Sequence, residues 1–401
     1  MGRIKKYKIA GIILLLAVTS ACKNYDKFGV DSINYYKDIP DLATETNEAH
    51  ISAIDIEQIL VDPSIETSFL GDFVIIDNSL FFADSYYNYV FEVQANGNVT
   101  SRNVGRGGGP DEVPGFRYII PFNNDYCLSS GSAFNFFTKG WKKTTFSMLD
   151  WDWQTPVEEE FYKPNPTKTQ GYQSDAPEAG VLQQWDENRL ALTVCMENPN
   201  CNGFFGNTGF YYKYSRIFII IDAATGKAEK TFGRRSPLYL EHKNIPNFDH
   251  LNYLVMDKNV WVNFWPDHNI YIIDKEKDEA TSKFGVPGRD MNTNYRKTLT
   301  FEDAENNWRE DRQDYGYYNY LLYDKERQLL FRGYTKGGEA TTDGLQIYKN
   351  YNLIGDIDVP KNFKIIGYYN NELIAYIEEE LAVNEDDDKL YFCKITLQYD
   401  K

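Results

Sequence analysis

Short apolar runs alternate with turn residues along this chain and recur in groups of four. From about residue 70 come FVIID, SLFFADS and YVFEV, then a turn at Asn96-Gly97 and NVTSRNV. The runs are rich in β-branched and aromatic residues and are bounded by Gly, Asn, Asp or Ser, as strands are. RYIIPF, YCLSS, FNFF and KKTTFSML form a second group, and VLQQW, RLALTVC, RIFIIID and KAEKTFG a third. HLNYLVM, NVWVNFW, NIYIIDK and EATSKFG make a fourth, and YYNYLLY, QLLFRGY, LQIYKN and LIGDIDV a fifth. A sixth contains only KIIGYY, ELIAYIE and LYFCKITLQ, while an alternating run, ISAIDIEQIL at 51–60, stands alone upstream.

Four-stranded antiparallel groups repeated in this way are the blades of a β-propeller. The upstream strand at 51–60 would supply the outermost strand of the sixth blade, closing the ring and covering its exposed edge. The expectation is an all-β chain, a six-bladed β-propeller spanning 51–401 as one domain, with the N-terminal strand closing the last blade.

Between the first two groups lies VGRGGGPDEVPGF at 104–116, echoed by FGRRSP at 232–237 and FGVPGR at 284–289. Glycine gives up much backbone entropy on ordering and proline lacks a donor, so such a stretch ends a strand and crosses to the next blade. Gly105-Arg106-Gly107-Gly108-Gly109-Pro110-Asp111-Glu112 resembles the GxGxGPxEF-like crossover of six-bladed, TolB-like propeller lipoproteins of Gram-negative bacteria. Asp111 stands where that family often has glycine. The resemblance implies fold and envelope location more than chemistry, because many members have no assigned activity.

The first residues read as an export signal at 1–21. Arg3, Lys5, Lys6 and Lys8 precede an apolar run, Ile9–Val18, that is short for a membrane span. Thr19-Ser20-Ala21 then leads into Cys22, an arrangement that resembles a lipobox and implies acylation of Cys22 and anchoring in the outer membrane. Residues 22–50 read as a polar tether between lipid and domain. The formal charge is −17, and loss of the four basic residues of the signal deepens it to −21. A surface this acidic repels nucleic acid, so nucleic-acid binding is excluded as a function.

Strand direction alternates within a blade, which sorts the connections. With strands A to D counted from the channel outward, the A–B and C–D loops share one face and the B–C and D–A loops the other. The first set is short. The second holds every large insertion, at 150–180, 197–214, 234–249, 287–316 and 379–389, and is therefore the expected working face.

Arg106, Arg234 and Arg289 occupy comparable D–A crossovers. If those crossovers run inward, the guanidiniums would converge at the channel mouth on an anionic ligand, aided by backbone N–H groups of Gly107, Gly108 and Gly109. The plainer reading, and the favoured one, ties each arginine to a neighbouring carboxylate or carbonyl. Trp151 and Trp153, in a long loop, are candidate ligand platforms, whereas Trp261 and Trp265 share one face of a strand and suit packing. Cys195 and Cys201 flank a polar segment and would close a disulfide in an oxidising envelope, while Cys127 and Cys393 read as buried thiols. The glycine run lacks the Lys-Ser/Thr ending of a phosphate loop, and neither HExxH nor GxSxG occurs. The acidic run at 384–388 lacks the spaced ligands of a calcium loop. No cofactor, metal or catalytic residue is therefore assigned.

The function expected is that of a monomeric, lipid-anchored, non-catalytic propeller whose long-loop face binds a glycan, a peptide or an envelope protein. A hydrolase or lyase acting on an anionic saccharide or lactone at the channel mouth is the alternative, and a structural spacer the third.

Overall fold

The computed structural model describes residues 27–43, 50–153, 156, 159, 163–174, 182–196, 198–204, 206–242, 244–378 and 389–400. The signal segment, Cys22 and the acidic run at 384–388 lie outside the described residues. The chain forms six antiparallel sheets arranged as a six-bladed propeller. Blade one is Gly71–Ile76, Ser79–Asp84, Tyr89–Val93 and Val99–Val104, each strand hydrogen-bonded to the next. The innermost strands of successive blades adjoin one another around the axis, and Phe363–Tyr369 of blade six returns to Gly71–Ile76 of blade one.

The sixth blade closes as the pattern of the chain predicts. Ile51–Leu60 pairs antiparallel with Tyr391–Tyr399, from Ile51 against Tyr399 to Leu60 against Tyr391. Blade three departs from four plain strands. Its innermost strand comes in two pieces, Gln173–Ser174 and Leu182–Gln184, which pair with opposite ends of Arg189–Cys195.

The core lies between blades rather than around one centre. Phe73, Phe82 and Phe91 of blade one pack on Ile374, Tyr376 and Phe392 of blade six. Phe81 and Val90 face Ile119, Leu128 and Phe137 of blade two on the other side. Alternation along each strand thus serves two interfaces, because residues on opposite faces of a sheet enter different neighbours. Trp261 works in this way, packed against Phe284 of its own blade and Tyr323 of blade five. The packing reading of this residue holds.

One rim contact recurs. At four junctions the chain at or just past an outermost strand meets the C–D turn region of the following blade. Asp62 N donates to Gly97 O at 2.9 Å, and Asp150 N to Gly226 O at 2.9 Å. Between blades one and two, Lys143 N donates to Asp111 Oδ1 at 3.1 Å. Gly233 N donates to Asp278 Oδ1 at 2.8 Å between blades three and four. The approach leaves no room for a side chain. A Cβ on Gly97 would lie 1.9 Å from Leu60 O, and one on Gly226 1.8 Å from Met148 O, with φ of +86° and +78°.

The segment expected to be a tether is in part docked. Asp31 caps a short helix, Ser32–Tyr35, by accepting from Asn34 N at 2.8 Å. Tyr35 and Tyr36 are buried, with Tyr36 Oη donating to Arg234 O at 2.6 Å and Tyr35 Oη to Asp278 Oδ1 at 2.9 Å. Leu42 N then donates to Lys283 O on the outer strand of blade four. Its aromatic residues are what polarity averaged over 22–50 conceals: burying two tyrosines contributes several kcal/mol, by roughly 25 cal/mol per Å².

Gly226→Ala combines a left-handed φ with a backbone clash. It should lower stability by about 2 kcal/mol or more, read as a lower urea midpoint with an unchanged slope.

Candidate functional site

The insertion after blade four, 287–316, contains a helix, Phe301–Asp314. Thr300 caps it, with Oγ1 accepting from Asp303 N at 3.0 Å, and Asp303 Oδ2 accepts in turn from Leu299 N at 2.9 Å. Acidic residues in its first turn and Arg312 in its last match the helix dipole. Phe301, Ala304, Glu305 and Trp308 follow at helical spacing and share one face. Two polar anchors fix the helix on the propeller. Asn247 Nδ2 donates to Ala304 O at 3.0 Å and to Asp311 Oδ2 at 2.7 Å, and Arg296 Nη2 donates to Asp311 Oδ1 at 2.6 Å. Arg312 lies over Trp308, 3.8 Å from its ring centre, and over Trp265, which stacks at 4.4 Å on Tyr317. Trp265 is thus a packing residue that supports Trp308 through Arg312.

A second wall comes from the insertion inside blade three. Asn207 caps the helix Thr208–Tyr214 by accepting from Phe210 N at 3.1 Å, which turns Tyr211 and Tyr212 inward. Tyr212 stacks on Tyr239 at 4.9 Å and 7°. Burial holds all three phenols well above their ordinary pKa, so they stay neutral donors.

Beneath this wall lies a buried ion pair. Arg235, only 1% exposed, donates from Nη1 to Asp249 Oδ1, from Nε to Ser215 Oγ at 3.1 Å and from Nη2 to Val194 O at 3.2 Å. Tyr211 Oη donates to Asp249 Oδ2 at 2.8 Å, and its ring lies 4.7 Å from the guanidinium. The pair joins blade three to the first strand of blade four.

The two walls enclose a cavity of about 660 Å³. Met196, Phe204, Tyr211, Pro246, Phe301 and Trp308 supply its apolar surface; Asn247, Asp249, His250 and Glu305 supply polar groups. Phe204 meets Phe301 edge-on at 5.2 Å, bringing the blade-three insertion against the helix. Every wall belongs to connections that strand parity assigns to the long-loop face. A cavity of this size holds a small ligand or a side chain with its neighbours.

Arg234 and Arg289 follow the favoured reading, each tied to a carboxylate of the next blade. Each follows an outermost strand closely, and those strand ends stay at the rim. Arg234 is buried, donating to Val30 O at 2.9 Å and pairing with Asp278 at 3.3 Å, so it secures the N-terminal segment. Arg289 is half-exposed and pairs with Asp358 at 2.6 Å. Arg106 is exposed. The nest expected at Gly107, Gly108 and Gly109 holds the chain's own carboxylate: Gly109 N donates to Glu112 Oε2 at 2.8 Å, and a Cβ on Gly107 would lie 2.0 Å from that oxygen.

Trp151 packs against the core of blades two to four, and Trp153 is 42% exposed; neither borders the cavity. The expected Cys195–Cys201 disulfide is not formed. Cys201 is buried with its Sγ 3.6 Å from Met196 Sδ, whereas Cys195 faces the cavity with its Sγ 3.8 Å from Gln173 Nε2. The polar segment between them is held by its own asparagines, as where Asn202 Nδ2 donates to Asn198 O at 2.8 Å, and needs no staple.

No protein-family model and no curated protein matches the chain. Among solved structures, a DUF4221 family member from Bacteroides vulgatus superposes with a TM-score of 0.60 at 13% identity, covering 89% of this chain and 100% of that one. A Bacteroides fragilis protein named as exported gives a TM-score of 0.47 at 12% identity, over 89% and 99% of the two chains. The likeness is one of fold. This chain shares its overall fold with the Bacteroides vulgatus structure, and its site has to be read from its own residues.

Asp249→Ala would leave the Arg235 guanidinium buried without its carboxylate. We expect a loss of about 3–5 kcal/mol in chemical denaturation. Burial raises the thiol of Cys201 to about 12 and that of Cys393 to about 11, and raises Cys127 further. Iodoacetamide should therefore modify Cys195 of the native protein first, read by peptide mass mapping.

Proposed function

We propose that this chain is a lipid-anchored, non-catalytic propeller of the bacterial envelope that binds a peptide segment of a partner protein in the cavity of its long-loop face. The observation that carries the reading is the cavity itself, built from four separate insertions on a rigid ring. Its walls are mainly apolar. A saccharide would need many polar partners for its hydroxyls, and two of the polar groups at hand are already engaged: Asn247 with the helix, and Asp249 with Arg235 and Tyr211. Apolar and aromatic side chains of a peptide suit such walls better. The same engagement argues for binding over hydrolysis, because the Asp249 carboxylate is tied up on both oxygens. Anchoring rests on the basic, apolar and small-residue order that ends at Cys22.

The test is to probe mature protein against peptide and glycan arrays. We expect peptide capture that falls about tenfold or more in Trp308→Ala and Phe204→Ala, with bound peptide slowing alkylation of Cys195. Capture of glycans alone, or unchanged affinity in both variants, would overturn the reading. Cys22→Ala should abolish metabolic incorporation of labelled palmitate and release the protein from the membrane fraction.

A further inference from the structure

We infer that the cavity receives a positively charged side chain, the ammonium or guanidinium of a lysine or arginine on the bound peptide. The inference rests on the peptide-binding reading above and narrows it. Phe204, Tyr211, Phe301 and Trp308 bring four aromatic rings to the walls; Tyr211 and Trp308 each already carry one guanidinium, of Arg235 and Arg312, while Phe204 and Phe301 carry none among the described residues. The negative face of such a ring attracts a cation, and the attraction grows as water is excluded. The charged side chains of the lining have one sign. Asp249 and Glu305 are present, with neither lysine nor arginine.

The two carboxylates are not equivalent. Asp249 is neutralised by Arg235, which lies buried behind Tyr211. Glu305 is exposed and makes no ion pair among the described residues. It stands one helical turn before Trp308 on the same face, and one turn after Phe301. A cation lying against these rings would meet the Glu305 carboxylate at its charged end, while its methylene stem packs on the apolar wall. The net charge of −17 favours the approach of a basic peptide and opposes an acidic one. The arginines that would have selected an anion are spent elsewhere, Arg234 on Asp278 and Arg289 on Asp358.

The experiment uses a positional-scanning library of N-acetylated tetrapeptide amides with the mature protein. Binding is read by tryptophan fluorescence and by protection of Cys195 from alkylation. Sublibraries with a fixed lysine or arginine should bind about tenfold tighter than those with a fixed norleucine or glutamate, and less so at high salt. Glu305→Gln, on an exposed helix position, should shrink that preference severalfold, read as the ratio of lysine to norleucine affinities in the variant against the same ratio in the parent protein. Equal binding of norleucine and lysine sublibraries, a preference for glutamate, or an undiminished preference in Glu305→Gln would overturn the inference while leaving peptide binding in place. If no sublibrary protects Cys195, the cavity reading falls with it.

Discussion

The structure depends on the pairing of Ile51–Leu60 with Tyr391–Tyr399. A propeller blade buries both of its faces against neighbours, so each blade is stable only inside a ring, and the ring has one place where the chain must join itself. Here the joint is a full-length antiparallel ladder between segments more than 300 residues apart. It removes the open edge of Tyr391–Tyr399 and places Ile51, fully buried, in the interface between blades five and six. With the ring closed, the insertions on its face are held by a rigid frame, and a cavity can form between loops from different blades.

That frame explains the division of labour among the arginines. Outermost strands end at the rim, where at four junctions the chain meets the C–D turn region of the following blade, so an arginine just past such a strand is placed to tie blades together. Arg234 and Arg289 do this with Asp278 and Asp358. Arg235, one residue further along than Arg234, is turned the other way and supports the cavity by holding Asp249. A difference of one position decides between a rim contact and the floor of a binding site.

The cavity is supported in layers. Arg312 rests against Trp308 and Trp265, Asn247 and Arg296 hold Asp311, and the stacked Tyr212 and Tyr239 back the second wall. Asn247, Arg296 and Asp311 are matched to one another and to the helix backbone, which holds the helix and its aromatic surface in place. Glu305 is an exposed carboxylate of the cavity lining. An acidic, aromatic, pre-formed cavity on an anionic surface is the physical basis of the charge selectivity we propose.

The strand rhythm determined the blades, their order, the ring closure and the face that carries the insertions, because alternation and turn residues are local signals that each blade repeats. The docking of Tyr35 and Tyr36 was not legible in that rhythm, since two buried rings in a polar stretch leave no periodic pattern. The helix Phe301–Asp314 did carry a signal, Thr300 with Asp303 ahead of Phe301, Ala304 and Trp308, but it lay within a segment read only as a long loop. Tertiary structure alone decided which side chains meet. Glu112 fills the glycine nest, the two cysteines stay apart as thiols, and Arg235 rather than Arg234 supports the cavity through Asp249, because each outcome depends on which blade lies across the interface. Sequence spacing carries no record of that distance.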